Sequence, residues 1–131
     1  MIEDVYAFLI SDTTFANLIG GTGAVRLYPD VSPLNAPKPY VVYSTNADGG
    51  MEEIIDESAL NFSIYGEEKT EVKGIKDRLE VLLDVQDQIN IPSDTYYFKW
   101  AKKISGFSTY EKETALFHRA IIIAFKLIKK C

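Results

Sequence analysis

One histidine and one cysteine occur in 131 residues, and that scarcity removes most metal and nucleophile chemistry at the outset. The cysteine is Cys131, at the end of the sequence, so no internal disulfide can form and a reducing compartment is the expected setting. His118 and Cys131 cannot by themselves supply the ligand set of a zinc site. Ser105 and Ser108 lack the small-x-Ser-x-small elbow of a serine nucleophile, and the single His118 would have to serve them. The apolar run at residues 120–125 falls far short of the roughly 20 residues of a membrane helix. The opening MIEDVYAFLI carries acids rather than a basic region, so no secretory signal is expected. Gly20, Gly21 and Gly23 follow a helical pattern rather than a strand, with no Lys-Ser or Lys-Thr after them, so they read as helix stop and turn instead of a phosphate loop. Repeats, low-complexity tracts and linkers are missing too, which leaves one domain over residues 1–131 as the expectation.

What is present is an ordinary globular composition, 47% apolar and 25% charged. A chain of this length buries roughly two-thirds of its unfolded surface and can stand on a hydrophobic core. The organising stretch is residues 57–84. Leu60, Phe62 and Ile64 alternate with Asn61, Ser63 and Tyr65, the period of a strand with one dry face. After Gly66 the period becomes helical, with Val72, Ile75, Leu79, Leu82 and Leu83 on one stripe.

The rest supplies helices before this unit and strands around it. Ile2, Val5, Tyr6, Leu9 and Ile10 recur at helical spacing, and Asp12-Thr13-Thr14 reads as a break and a fresh cap before Phe15, Leu18 and Ile19. This is a helical hairpin or one kinked helix. Residues 25–28 form a short strand. Pro29, Pro33, Pro37 and Pro39 make the next eleven residues an extended surface crossing. YVVYST at 40–45 is a strand, and 46–56 a long connection bent at Asp48-Gly49-Gly50. Residues 95–104 alternate, with Tyr96, Phe98 and Trp100 on one face; 106–114 read as a polar loop; 116–128 form a long last strand. The predicted fold class is α+β: a mixed, mostly antiparallel sheet of four to five strands packed against the N-terminal helix or hairpin and one central amphipathic helix.

Charge is unevenly distributed. Residues 1–66 hold 9 acids and 2 bases, residues 67–94 hold 8 and 4, and residues 95–131 hold 2 and 8. A protein with an acidic side and a basic side can meet copies of itself head to tail. Exposure and charge single out three places for contacts: Asp48, Glu52, Glu53 and Asp56 in the first long loop; Tyr110 and Lys112 in the second; and Lys126, Lys129 and Lys130 at the outer end of the last strand. The acidic loop lacks the spacing of a calcium loop. Aromatics with lysines at 96–103 could stack single-stranded nucleic acid, although the acidic remainder argues against it. No catalytic, cofactor or metal residue is assigned.

Three segments together resemble the tail terminator, or tail-completion, proteins of long-tailed bacteriophages: RLYPDVSPLNAPKPYVVYS (26–44), FSIYGEEKTEVKGIKDRLEVLL (62–83) and LFHRAIIIAFKLI (116–128). The resemblance implies a structural, non-enzymatic protein of a phage or prophage virion, made in the host cytoplasm. It implies a homo-hexameric ring in the particle that caps the tail tube protein and joins it to the head–tail connector protein. No cofactor, membrane or sequence-specific nucleic acid is implied. A neck or head–tail connector component is the nearest rival, and a single-stranded nucleic-acid binding module the rival from another class.

Overall fold

The computed structural model describes residues 2–21, 25–31, 37–45, 55–84, 89, 91–113 and 115–130. Its elements run α1 (Ile2–Ser11), α2 (Thr13–Leu18), β1 (Leu27–Pro29), β2 (Tyr40–Thr45), β3 (Ile55–Gly66), α3 (Lys69–Leu83), β4 (Tyr96–Glu111) and β5 (Leu116–Lys129). The strands form one sheet in the order β1-β2-β3-β5-β4. Only β1 and β2 run parallel; the other neighbours are antiparallel. The fold is therefore α+β with a mixed five-stranded sheet.

Strand alternation separates two faces. On one, Val41, Leu60, Phe62, Ile64, Ile121, Ile123, Phe125 and Leu127 are almost wholly buried. Val5, Leu9, Phe15 and Ile19 from α1, α2 and the turn after them join Val72, Ile75, Leu79 and Leu83 from α3 in the same core. Gly66 sits where β3 gives way to α3. A methyl added there would lie 2.7 Å from Val72 Cγ2, so the helix packs on the strand end only because residue 66 has no side chain.

Polar contacts fix the helices to one another and to the sheet. Asp12 caps α2, accepting the Phe15 N–H at 2.8 Å, and also receives Arg78 of α3 on both oxygens at 2.9 and 2.7 Å. The Arg78 hydrogen bonds hold the Asp12 carboxyl below its ordinary pKa against the opposing effect of burial. Glu80 accepts the Lys103 ammonium at 2.7 Å, which ties α3 to β4. Burial alone would raise the Glu80 carboxyl, but Lys103 and Lys76 outweigh it and lower its pKa.

Three sequence expectations need correction. Residues 106–114 are not a loop: β4 continues to Glu111, and the turn that follows holds Ala115 at φ 57°. SGFSTYE at 105–111 is exposed on both faces, so it shows no apolar alternation, and pairing with β5 makes it a strand. Nor do Tyr96, Phe98 and Trp100 share a face. The register shifts between Phe98, opposite Leu127, and Trp100, opposite Lys126. This β-bulge puts Ala101 into the core with Phe98 and sends Trp100 to the other side. The expected aromatic stripe for stacking nucleic acid is thus split. The first long connection is also shorter at its end than expected, because β3 begins at Ile55 and so includes Asp56.

Candidate assembly surface

All the described helices lie against the buried face of the sheet, and no described element covers the other. Cross-strand register assigns Tyr28, Tyr40, Val42, Tyr65, Phe107, His118, Ala120 and Ile122 to this open face. Five of them form a ladder of rings across every strand. Tyr28 and Tyr40 have centroids 6.0 Å apart, Tyr40 stacks on Tyr65 at 5.2 Å, and Tyr65 stacks on His118 at 4.4 Å. Phe107 closes the row edge-on to His118 at 5.5 Å. Aromatic pairs in such geometries add about 0.5–1.5 kcal/mol each beyond area burial. Beside the ladder, a depression of about 270 Å³ is lined by Ser44, Asn61, Ser63, Ser105, Phe107 and Ile122.

His118 is the distinctive member. Its Nε2 is buried and has no hydrogen-bond partner. Burial lowers its pKa from the ordinary histidine value, with Glu111 pulling weakly the other way. A neutral imidazole fits between Tyr65 and Phe107. Tyr65 is shifted in the sense expected of the same enclosure, its phenol raised first by burial and then by Tyr40.

The long β4–β5 hairpin carries most of the exposed large apolar groups, with Val31 after β1 and Val81 on α3 the exceptions. Phe107 is 60% exposed on the open face, Tyr110 47% exposed against Phe117, and Ile104 55% exposed at the second register shift. Gly106 lets the two strands close up here, since a Cβ would lie 3.0 Å from the Ala120 carbonyl oxygen. Fourteen residues of β5, at about 3.3 Å each, make an arm of roughly 45 Å.

The residues expected from sequence to make contacts are spread along this arm rather than gathered. Tyr110 and Lys112 are exposed at its tip. Lys126 lies on the open face opposite Trp100 and Glu57 in the register, and Lys129 is opposite Tyr96 at the far end. Lys130 is not a free charge: its Nζ donates to the Ser93 carbonyl at 2.6 Å and lies 4.7 Å from the Tyr97 ring centre. Asp56 is in β3 opposite Leu127. Asp48, Glu52 and Glu53 lie outside the described residues. The sequence reading missed the ladder. Its signal was three tyrosines and a histidine all on the polar-side parity of their strands, but only the register brings them into one row.

Both layers expose charges of both signs, with Lys69 and Lys73 exposed on α3 and Glu111 exposed on β4. Lys99 and Lys102 are exposed on β4, while Glu67 and Glu68 are exposed at the start of α3. Glu71, one turn on, has a raised pKa, first from burial and then from the charges of Glu68 and Glu67. Among the described residues no group of three or more His, Cys, Asp and Glu is placed to hold a metal ion, and no helix is long and apolar enough to cross a membrane.

No family model matches the sequence, and no curated protein matches it significantly. Among solved structures, the chain is similar to one described as "Virion of native gene transfer agent (GTA) particle", with a TM-score of 0.67 and 14% identity. The alignment covers 96% of this chain and 92% of that one. At that identity the likeness is one of fold.

Proposed function

We propose that this chain is a structural protein of a phage-like particle, a tail terminator that assembles as a homo-hexameric ring. The ring stops growth of the tail tube and forms the joint to the head–tail connector, without catalysis. The observation that carries the reading is the end-to-end fold likeness to a chain of a gene transfer agent virion. The three sequence segments that resemble tail terminators point the same way. An uncovered sheet face with a ladder of rings suits a protein whose surface is completed by neighbours. A chain basic in its last two strands and acidic before them suits contacts between unlike patches, which close into rings. Its partners are then other copies of itself, the tail tube protein and the connector protein, and its place is the tail or neck of the virion.

Deleting the gene from the particle that encodes it tests this directly. The expected outcome is tails of irregular, extended length and filled heads without tails. Particles of normal length and infectivity, or normal transfer, overturn the assignment.

A further inference from the structure

We infer that the outer edge of β4, from Ser105 to Glu111, takes the same segment of a second copy of this chain as an added antiparallel strand, closing a two-fold pair. The inference goes beyond the ring reading, because a two-fold contact closes on two chains and is not the repeating contact of a six-fold ring. The pair is the form of the chain that has not yet joined a tail.

β4 is an edge strand of the sheet, and among the described residues no strand pairs with its outer side. Such an edge presents a row of backbone N–H and C=O groups, which proteins guard with lysines, bulges and covering groups. The first half of β4 is guarded in all three ways. It carries Lys99, Lys102 and Lys103, and its register shifts at Phe98/Trp100 and again at Lys103/Ser105. Asp84, at the end of α3, accepts the Lys103 backbone N–H at 3.1 Å. The second half has none of these guards. From Ser105 to Glu111 the register with β5 is unbroken, lysine and proline are absent, and every residue is exposed. Tyr97, Ile104, Phe107 and Tyr110, most of the exposed large apolar side chains among the described residues, all stand on this one strand.

Length and register name the occupant. The sheet's other edge strand, β1, has three residues and ends at Pro29, so its row is too short to match. The segment matches itself. In an antiparallel pairing centred on Ser108, Tyr110 falls opposite Gly106 of the second copy, Phe107 opposite Thr109, and Glu111 opposite Ser105. An aromatic ring across from an edge glycine is a favourable sheet pair. Glu111 is the only charge in the segment, so no like charges meet. A two-fold axis normal to the sheet keeps both helix layers on one side. There, depressions of about 190 and 210 Å³, each lined by Ser108 and Arg119, leave room beside the added strand.

The test uses the full chain and a pair of positions that meet only between copies. Ser105 and Glu111 lie on one strand, about 20 Å apart at roughly 3.3 Å per residue, too far to touch within a chain. Association is read by sedimentation velocity and native mass spectrometry over a concentration series. The wild type is expected to pass from monomer to dimer as concentration rises. Ser105→Glu sets two like-charge pairs across the two-fold axis and is expected to weaken the dimer about tenfold. Adding Glu111→Lys to Ser105→Glu is expected to restore it. Both positions are exposed, so circular dichroism and melting temperature are expected to stay at wild-type values. A wild type that is monomeric at every concentration, a dimer indifferent to Ser105→Glu, or a double variant that is not restored overturns the pairing. On purified tail tubes, wild type and Ser105→Glu are expected to cap alike. Capping by neither overturns the ring reading and leaves the pair standing on the dimer data; loss of capping in Ser105→Glu alone makes this edge a ring contact and overturns the two-fold pair.

Discussion

Tyr65 of β3 and His118 of β5 lie face to face, ring centres 4.4 Å apart and planes 8° apart, on the side of the sheet that no described helix covers. Phe107 stands edge-on at the other side of the imidazole. The arrangement favours a neutral ring, and it makes the only histidine of the chain a reporter of acid conditions.

The first prediction follows from its direction of shift. The folded pKa of His118 lies below the unfolded value of about 6.5. Above that pH both states carry a neutral imidazole, and the folded state keeps its full advantage. As pH falls through about 6.5 the unfolded chain takes up a proton first, and stability drops until the folded pKa is passed. Groups facing the ring are Tyr65, Phe107 and Thr109, with Glu111 opposing the shift. Urea unfolding between pH 7 and pH 5 is expected to show this loss, and His118→Phe to flatten it. An unchanged slope in His118→Phe assigns the titration elsewhere.

Two phenylalanines of the sheet should behave in opposite ways. Phe125 is fully buried, edge-on to Phe98 at 6.1 Å, and Phe125→Ala is expected to cost about 3–5 kcal/mol. That is much of the roughly 5–15 kcal/mol a domain has. Phe107→Ala, on the exposed face, is expected to cost no more than about 1.5 kcal/mol, the loss of its edge-on contact with His118. Denaturation midpoints check both. A large stability loss in Phe107→Ala contradicts its assignment to the surface.

Asp12 does two jobs that substitution can separate. Asp12→Ala removes the α2 cap and the Arg78 pair, at about 1–3 kcal/mol. Asp12→Asn keeps a capping oxygen and loses the charge, so it is expected to lose less stability than Asp12→Ala. Thermal melts of the two variants, with Arg78→Ala as control, give the order. Equal losses for Ala and Asn remove the cap from the account.

The α3–β3 junction is set by a missing side chain. Gly66→Ala brings a methyl within 2.7 Å of Val72 Cγ2, and overpacking of that kind costs about 1–3 kcal/mol. Gly74 on α3 has open space around it, so Gly74→Ala is expected to stabilise by roughly 0.5–1 kcal/mol through helix propensity. Urea midpoints that fail to move in opposite directions contradict the close approach.

Much of this fold was legible because its strands and helices each have one dry side. Leu60, Phe62 and Ile64 show their period at sight, and so do Val72, Ile75 and Leu79 after Gly66. The second half of β4 was not legible, because Ser105 to Glu111 meets solvent on both faces and leaves no alternation to read. The bulge that separates Phe98 from Trp100 was hidden for another reason: it is a property of the pairing with β5, and Tyr96-Tyr97-Phe98-Lys99-Trp100 alternates well enough without it. The ladder was the least accessible feature. Its rings come from positions 28, 40, 65, 118 and 107, and only the strand order brings them side by side.

The most direct test of the central claim is electron microscopy of purified tail tubes from the encoding particle, incubated with this protein. The tail terminator reading predicts a six-fold ring at one end of each tube and an arrest of further tube growth. Bare tube ends and continued elongation would contradict it.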